Sequence, residues 1–304
     1  MPRIHAICLV RDEADIIESA VRAALRWADF IYVMDDSSSD GTWEILQRLA
    51  EEDPRVVLRE RNTGPFTIAL RQRVVEGVRD RAELGDWWAW LDADEFFVDD
   101  PRQVLARVPL RYGVVHSASI EYYFTDRDLE AYDAAPEGYT RNWTPDTPRY
   151  YATGWGEERF FRHIPGVRWG AIAAQAASPI RIRLRHLQYR TPPQIERRVR
   201  RRVSSKEFWH EKEASWSPTG SAGDVLVLDR PEAEFWPHRV VRSSALRYDA
   251  GDGGYEIDEA ALPDLSPALS VRERLLRLWA VSHLVPQAMW RRARHRRSEH
   301  RAAT

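Results

Sequence analysis

Three acidic segments of the sequence carry side chains that could bind a metal ion or a phosphate group. The most conspicuous is WLDADEFF, in which Asp92, Asp94 and Glu95 come directly after an apolar run. Asp92 and Asp94 leave an extended chain on the same side, where their charges repel each other unless a cation lies nearby. Mg²⁺ or Mn²⁺ would remove this conflict, because hard cations bind carboxylate and phosphate oxygens together. We therefore expect these carboxylates to hold a metal diphosphate.

The other two acidic segments also follow apolar runs. Arg11 and Glu13 come after IHAICLV, and Asp35 and Asp36 end FIYVMDD. Each segment alone is equally well explained by a helix cap or a turn, because aspartate is common there for backbone reasons. If the runs are neighbouring parallel strands, however, all three segments meet at the edge where such sheets bind ligands. Their recurrence therefore favours one binding crevice.

The elements that would position these side chains are predicted from hydrophobic periodicity. Apolar runs that predict strands lie at residues 4–10, 30–36, 55–61 and 87–95. The first two are apolar on both faces, which is typical of central parallel strands covered by helices. Helical patterns are found at residues 16–25, from Asp40 onward, where Asp40 can cap the helix, and at 66–83. The first hundred residues therefore predict an open, mostly parallel α/β sheet.

Composition places the chain among globular proteins. Its 304 residues, 43% of them hydrophobic, suffice for one large α/β domain or a smaller domain with an extension. The 45 basic and 47 acidic side chains nearly cancel, so overall charge indicates no nucleic-acid partner. Cys8 is the only cysteine, which excludes an internal disulfide framework and a cysteine-based zinc site. With no signal-peptide pattern or membrane-spanning run, we expect a cytoplasmic protein, with peripheral contact at the inner membrane surface as an open alternative.

The ordered set ICLVRDEADII, YVMDDSSSDGT and WLDADEFF resembles the family 2 glycosyltransferases of the GT-A fold. The likeness is greatest to a bacterial branch whose Asp-x-Asp motif is written LDADEF. It covers residues 3–100 well and is looser to about residue 190. The resemblance implies metal-dependent, inverting transfer of a sugar, in the hexosyltransferase class, from a UDP-, GDP- or dTDP-sugar to an acceptor hydroxyl. It also implies Mn²⁺ or Mg²⁺ as the cofactor.

The expected fold is α/β, with a Rossmann-like, mostly parallel central sheet flanked by helices and followed by a C-terminal helical extension. We expect a catalytic domain at 1–210, with a nucleotide-binding half (1–100) and an acceptor and metal half (101–210). A loop and helical extension would occupy 211–304. Within it, residues 270–297 predict an amphipathic helix with a basic end, which suggests contact with a membrane surface and a lipid-linked acceptor. Packing on the catalytic domain or dimerisation is the more common use of such a helix, and a small molecule, a glycan and a polymer remain alternative acceptors.

Nucleotide-binding roles follow from the resemblance, residue by residue. Asp36 matches the aspartate that accepts hydrogen bonds from the donor base, and Asp35 is a near alternative. Arg11 and Glu13 stand where the family lines the nucleotide pocket, although helix capping is a rival role for Glu13. Arg71 is expected to reach the donor base or the diphosphate, and a solvated helix face is its alternative.

Metal-binding roles come from the same resemblance. Asp92 is expected near the ribose and the metal, and Asp94 is expected to bind the metal directly. Glu95 is either a supporting or a structural carboxylate. His186, in the context HLQYRTP, is assigned as a metal ligand because a late histidine often completes the metal site in GT-A enzymes. An interfacial histidine bound to the backbone is the rival interpretation.

An inverting transfer also needs a carboxylate that takes the proton from the acceptor hydroxyl. In YATGWGEER, Gly154 and Gly156 permit close backbone approach, and Glu157 and Glu158 follow them. The family commonly has an acidic pair here whose second member is the base, which implies Glu158, with glutamate in place of the usual aspartate. Glu157 is the alternative, and whichever is not the base would be a surface glutamate beside Arg159.

Two further features bear on ligands. Residues 181–206 carry ten lysine and arginine side chains and one acidic side chain, which could bind the donor phosphates or an anionic acceptor. A solvated helix face explains several of these arginines equally well. Trp209, Trp216 and Trp236 are candidates for stacking on sugar rings, although tryptophan is more often a core or interface anchor.

Other functions compete with the transferase. A nucleotidyltransferase or a metal-dependent phosphohydrolase would also use aspartates and a metal, but no glycine-rich phosphate loop follows the first run and a histidine-rich ligand set is missing. A non-catalytic nucleotide-sugar binding module would keep Asp36 and Asp92 but would need no base. The GEE and RHLQY segments therefore favour the enzyme.

Overall fold

The computed structural model describes residues 1–67, 69–167, 169–173, 175–204, 216, 218 and 224–265. The helix predicted at 270–297 and the stacking candidate Trp209 lie outside the described residues. Within those residues, no helix has both the length and the apolar character that crossing a membrane requires.

The described strands are β1 (Ile4–Val10), β2 (Phe30–Asp35), β3 (Val56–Arg61), β4 (Trp87–Leu91), β5 (Glu95–Phe97), β6 (Val114–Tyr122), β7 (Tyr150–Thr153), β8 (Glu158–Arg162), β9 (Ile182–His186) and β10 (Arg247–Tyr248). The described α-helices are α1 (Ile17–Ala24), α2 (Thr42–Glu52), α3 (Ala69–Val78), α4 (Pro101–Arg107), α5 (Asp126–Ala134), α6 (Pro136–Asn142), α7 (Trp169–Ala173) and α8 (Pro192–Ser204).

The strands form one sheet in the order β10-β7-β6-β8-β4-β1-β2-β3, and β9 pairs with both β5 and β6. Strands β1 to β4 run parallel to one another, as their alternation with helices predicts. The sheet becomes mixed beyond them, because β8 is antiparallel to both β4 and β6. The α/β fold with a mostly parallel central sheet flanked by helices is therefore confirmed, and its parallel character is concentrated in the first hundred residues.

Both faces of the parallel half are buried, which explains the continuous apolar runs. Ala6 and Cys8 of β1 face a core that includes Ile17 and Val21 of α1. Ile7, the residue between them, faces the opposite core, which includes side chains of α3. Because successive strand side chains point to opposite faces, a strand covered on both sides is apolar at nearly every position, and His5, the buried polar residue of β1, has Tyr32 and Asp86 as partners.

The acidic segments after β1, β2 and β4 meet at one edge of the sheet. Strand β1 lies between β2 and β4, with Val10 paired to Asp35 and Cys8 paired to Leu91. The backbone N–H of Asp36 donates to the carbonyl of Val10 at 2.8 Å. The predicted convergence of three strand ends is confirmed.

The segment after β2 holds the segment after β1 in place through side-chain hydrogen bonds. The hydroxyl of Thr42 accepts from the backbone N–H of Glu13 at 2.9 Å, and Asp40 accepts from that of Ala14 at 3.0 Å. The other oxygen of Asp40 accepts from the N–H of Thr42 at 3.1 Å, but α2 begins after Gly41, whose φ of 96° is left-handed. Asp40 was expected to cap α2; it supports the first turn from one residue further back and also ties the two loops together.

Part of the predicted extension, within the described residues 224–265, packs against elements from the first 210 residues. Val240 and Val241 share a core with Phe124 and Ile195. Strand β10 pairs with β7, which adds residues 247–248 to the sheet. Residues on both sides of the predicted boundary therefore share a core, and the boundary at residue 210, outside the described residues, stays a prediction.

Arg190 joins the second half of the chain to the first. Its side chain is fully buried and contacts Glu13, while its Nε lies 2.7 Å from Asp15 and its Nη1 donates to the carbonyl of Leu187 at 3.1 Å. Because buried charges need partners, this arginine fixes the end of β9 against the end of β1.

Arg190→Ala should lower the free energy of unfolding by about 3–5 kcal/mol, because it leaves the carboxylate of Glu13 with one buried partner fewer. Urea unfolding followed by circular dichroism measures the change. Arg127→Ala is the control, since Arg127 forms an exposed ion pair with Glu130 at 3.0 Å, and it should leave stability nearly unchanged. Equal effects of the two substitutions would contradict the role given to Arg190.

Candidate active site

A cavity of about 590 Å³ lies at the carboxyl ends of β1, β2 and β4. Eight of the ten predicted site residues line it, namely Arg11, Glu13, Asp36, Arg71, Asp92, Asp94, Glu157 and His186. Asp35 and Glu158 are not among its lining residues. The structure thus brings most of the predicted residues together from segments far apart in sequence.

Asp36 and Asp35 differ in what surrounds them. The carboxylate of Asp36 accepts hydrogen bonds from Asn62 Nδ2 at 2.5 Å and from Arg11 Nη1 at 3.3 Å, on the wall of the cavity. Asp35 is completely buried and accepts from Arg61 Nε at 3.0 Å. Asp36 is therefore the member of the pair that lines the cavity, although it is only 2% exposed, and Asp35 supports the turn beneath it.

Asp92 lies between two arginines. One carboxylate oxygen contacts Arg71 of α3, and the other is 3.3 Å from Arg159 Nη1 of β8. Arg159 is only 4% exposed, contacts Glu95, and lies 3.2 Å from Glu157. This buried guanidinium therefore connects the Asp-x-Asp segment to the GEE segment.

Asp94 and His186 are adjacent because of the register of β9. That strand pairs His186 with Glu95 on one side and with Glu121 on the other. His186 Nε2 lies 3.5 Å from Asp94 Oδ2, and its Nδ1 lies 2.7 Å from Glu121 Oε2. Asp94 Oδ2 is also 3.0 Å from Arg198 Nη1 of α8.

The neighbouring charges shift the pKa values of His186 and Asp94 in opposite directions. Burial alone would lower the pKa of His186, but the carboxylates of Glu121 and Asp94 outweigh it and hold that pKa well above its ordinary value. Burial would raise the pKa of Asp94, but the charges of His186 and Arg198 outweigh it and hold that pKa well below its ordinary value. Asp94 and His186 therefore form an ion pair at neutral pH.

Asp94 and His186 are the predicted metal ligands that the structure places side by side. A carboxylate oxygen and an imidazole nitrogen 3.5 Å apart are both common ligand atoms for a divalent cation. Asp92, the third predicted ligand, is held by arginines instead. Across the part of the chain that the structure describes, no group of three or more His, Cys, Asp or Glu side chains is arranged to hold a metal ion. The residues therefore fit a cation that takes two protein ligands and completes its coordination with phosphate oxygens and water, as Mg²⁺ commonly does.

Glu157 and Glu158 project to opposite sides at the start of β8. Since side chains alternate along a strand, Glu157 shares the cavity side with Arg159. Glu157 lines the cavity with a side chain that is 54% exposed, and Glu158 does not line it. Burial, and then the charge of Glu157, raises the pKa of Glu158. Of the two candidates for the base, Glu157 is therefore the one whose side chain lines the cavity, and the choice between them stays a prediction.

The two glycines before this pair allow β6 to approach closely, as the sequence predicts. A Cβ at Gly154 would overlap the side chain of Glu121, and a Cβ at Gly156 would overlap the carbonyl oxygen of Ser117. Only glycine fits either position without displacing these neighbours. The loop that leads to Glu157 is therefore fixed against the strand that carries Glu121.

The arginine-rich stretch forms α8 and divides between its two faces. Arg198, Arg201 and Arg202 line the cavity, and Arg201 also donates to the backbone of the β1 loop. Arg200 lies on the solvent side, where it pairs with Glu196 at 2.8 Å. The solvated helix face is therefore present, and binding of phosphates or an anionic acceptor by the cavity-lining arginines stays a prediction.

Of the stacking candidates, Trp216 lines the cavity, whereas Trp236 is 7% exposed and packs in the core beside Tyr132. Sequence reasoning did not single out Trp155, which lines the cavity and is 66% exposed. It also gave no role to Glu121. A glutamate inside the apolar run of β6 was the available signal, since buried carboxylates require partners.

Residues 6–153 match the family model described as "Glycosyl transferase family 2". A comparison with curated proteins finds no match.

Solved structures that are similar to this chain include the following three. Mannosyltransferase PcManGT from Pyrobaculum calidifontis, in complex with GDP-Man and Mn²⁺, is 18% identical with a TM-score of 0.37, covering 71% of this chain and 66% of that one. S. aureus TarS 1-349 in complex with UDP is 15% identical with a TM-score of 0.28, covering 40% of this chain and 35% of that one. A further S. aureus TarS 1-349 structure is 9% identical with a TM-score of 0.34, covering 69% and 68%. This chain spans less than two thirds of the first two, and at TM-scores below 0.5 these similarities add nothing to the family match.

Gly154→Ala should destabilise the protein by about 1–3 kcal/mol, because the added methyl group overlaps the side chain of Glu121 and must displace it. Urea unfolding measures the loss. Gly138→Ala in α6 is the control, because its added Cβ would lie 3.5 Å from the nearest atom and alanine favours a helix. If Gly154→Ala proves as stable as Gly138→Ala, the close approach to β6 does not constrain this loop.

Proposed function

We propose that this chain, a family 2 glycosyltransferase whose family match spans residues 6–153, transfers a sugar with inversion from a nucleotide diphosphate donor to an acceptor hydroxyl. The observation that carries the proposal is the meeting of Asp36, the Asp-x-Asp segment and His186 in one cavity. Open α/β sheets bind ligands at this edge, beyond the carboxyl ends of their strands. The catalytic unit is proposed to include residues 1–210.

The donor nucleotide is proposed to bind on the side of β1 and β2. Asp36 offers carboxylate oxygens to N–H groups of the base, and its hydrogen bonds from Asn62 and Arg11 fix the orientation of that carboxylate. Arg71 and Asp92 lie further along the same wall, where the ribose and diphosphate would follow. Arg198 and Arg201 add positive charge that favours the phosphate groups.

Asp94 and His186 are the residues proposed to hold a divalent cation. The cation, when bound, supplies positive charge that stabilises the diphosphate as it leaves. Glu121, hydrogen-bonded to the other ring nitrogen, orients the imidazole of His186 as carboxylates commonly do for ligating histidines.

Glu157 is proposed as the general base. Its carboxylate is accessible from the cavity, and Arg159 holds it from the protein side at 3.2 Å. As the acceptor oxygen attacks the anomeric carbon, Glu157 takes the hydroxyl proton, the new glycosidic C–O bond forms, and the bond from that carbon to the diphosphate breaks. The nucleoside diphosphate leaves on the opposite side, which inverts the configuration.

Asp94→Asn should greatly weaken the metal-dependent part of the stabilisation by nucleoside diphosphates, because it replaces a charged carboxylate ligand with a neutral amide oxygen. Thermal unfolding with UDP, GDP or dTDP, each with and without Mn²⁺ or Mg²⁺, tests this. A ligand at 100 times its Kd stabilises the folded state by about 2.7 kcal/mol, so the effect is readily measured.

For each variant, the change in melting temperature is calculated from the melting temperature of the same variant without ligand. This is necessary because Asp94→Asn also alters the ion pair with Arg198. Asp146→Asn, at an exposed carboxylate paired with Arg185, is the control and should keep the full metal-dependent shift. A full shift retained by Asp94→Asn would show that Asp94 does not bind the cation.

Glu157→Gln should lower kcat by about 10²- to 10⁴-fold, the usual contribution of a general base, while donor affinity stays close to that of the wild type. Release of nucleoside diphosphate is measured from the nucleotide sugar that gives the largest thermal shift. Glu158→Gln is the matched control and should retain most turnover, because Glu158 does not line the cavity. The opposite result would return the base assignment to Glu158.

A further inference from the structure

Trp155 is presented to the cavity rather than buried. Its side chain is 66% exposed, while the glycines on either side of it are buried. Burying a large aromatic side chain is normally among the most favourable contributions to folding. An indole left exposed in the wall of a cavity is therefore a candidate contact for a ligand.

The position of Trp155 is enforced by its neighbours. The backbone N–H of Gly154 donates to the carbonyl of Ser119 at 2.8 Å, and the backbone N–H of Glu157 donates to Ser117 Oγ at 3.1 Å. The N–H of Ser117 in turn donates to the carbonyl of Glu157 at 2.7 Å. The loop is thus hydrogen-bonded to β6 on both sides of the tryptophan, which fixes the backbone from which the indole projects.

The indole lies beside the proposed base. Trp155 and Glu157 are two residues apart in this fixed loop, and both line the cavity. Hydrogen-bonding groups line the same cavity, including Ser119, Tyr123 and Gln188. A flat apolar face next to several polar groups matches a molecule that is itself apolar on one face and rich in hydroxyls around its edge.

We propose that Trp155 forms the acceptor subsite and that the acceptor is a carbohydrate whose ring stacks on the indole, an inference that rests on the proposed transferase function. The C–H face of a pyranose packs against an aromatic ring, and its hydroxyls reach polar side chains such as Gln188. Stacking on Trp155 places a sugar hydroxyl in reach of Glu157, which takes its proton. A bare alkyl chain fits this cavity poorly, because most of the lining side chains are charged.

Binding of the full chain to an array of immobilised glycans, in the presence of UDP or GDP and Mn²⁺, tests the proposal. The wild type should bind at least one class of glycan. Trp155→Ala should lower that affinity about tenfold or more, and Trp155→Phe should recover part of it because a smaller aromatic face remains. Tyr248→Ala removes an aromatic side chain of similar exposure, 62%, that does not line the cavity, and it should bind as the wild type does.

Three results would overturn the acceptor subsite: no glycan bound by the wild type, equal binding by Trp155→Ala, or a change in oligomeric state on gel filtration that accounts for the loss. Failure of the proposed function gives a different result, because the wild type would then show no thermal shift with any nucleoside diphosphate. If a nucleoside diphosphate raises the melting temperature but no glycan binds, the proposed transferase function stands and the proposed carbohydrate acceptor is refuted.

Discussion

The structure depends on the neutralisation of four carboxylates crowded into one crevice. Glu13, Asp92, Asp94 and Glu95 come from two loops at the same edge of the sheet, and three of them are almost completely buried. Unpaired, such charges would cost several kcal/mol each. The chain offsets them with guanidinium groups, on Arg71, Arg159, Arg190 and Arg198. Three of these four arginines belong to the second half of the sequence, so that half must pack where it does for the first half to be stable.

The same interactions determine how a ligand can enter. The arginines stand where a diphosphate is proposed to lie, and each already has a carboxylate partner. A phosphate group that binds must therefore replace carboxylates as the partner of these arginines. The breaking of the existing ion pairs offsets part of the attraction between arginine and phosphate. A cation at Asp94 would complete that exchange, because it replaces the charge that Arg198 supplies in the ligand-free protein. Donor and metal are then expected to bind more tightly together than either does alone.

Sequence patterns predicted the parts of this arrangement that depend on local periodicity. The apolar runs gave β1, β2 and β4 to within a few residues, and the acidic segments after them met as expected. Partners far apart in sequence carried no local signal, which is why the pairing of Arg159 with Glu95 was not foreseen. The choice between Glu157 and Glu158 had the same obstacle. Which glutamate faces the cavity depends on the register in which β8 pairs with β6. That register shifts between Val115 and His116, which the sequence does not reveal.

The contact between Arg190 and Glu13 also says something about the order in which the molecule is built. The two residues are 177 positions apart. During synthesis the amino-terminal strands leave the ribosome first, and domains tend to organise in that order. The nascent sheet must therefore persist with an acidic crevice that only Arg71 compensates, until Arg159, Arg190 and Arg198 have been synthesised. A chain that stopped before residue 190 would keep strands β1 to β4 but lack Arg190 and Arg198, two of the four arginines that neutralise the crevice, so we expect these strands to be less stable without the later segment.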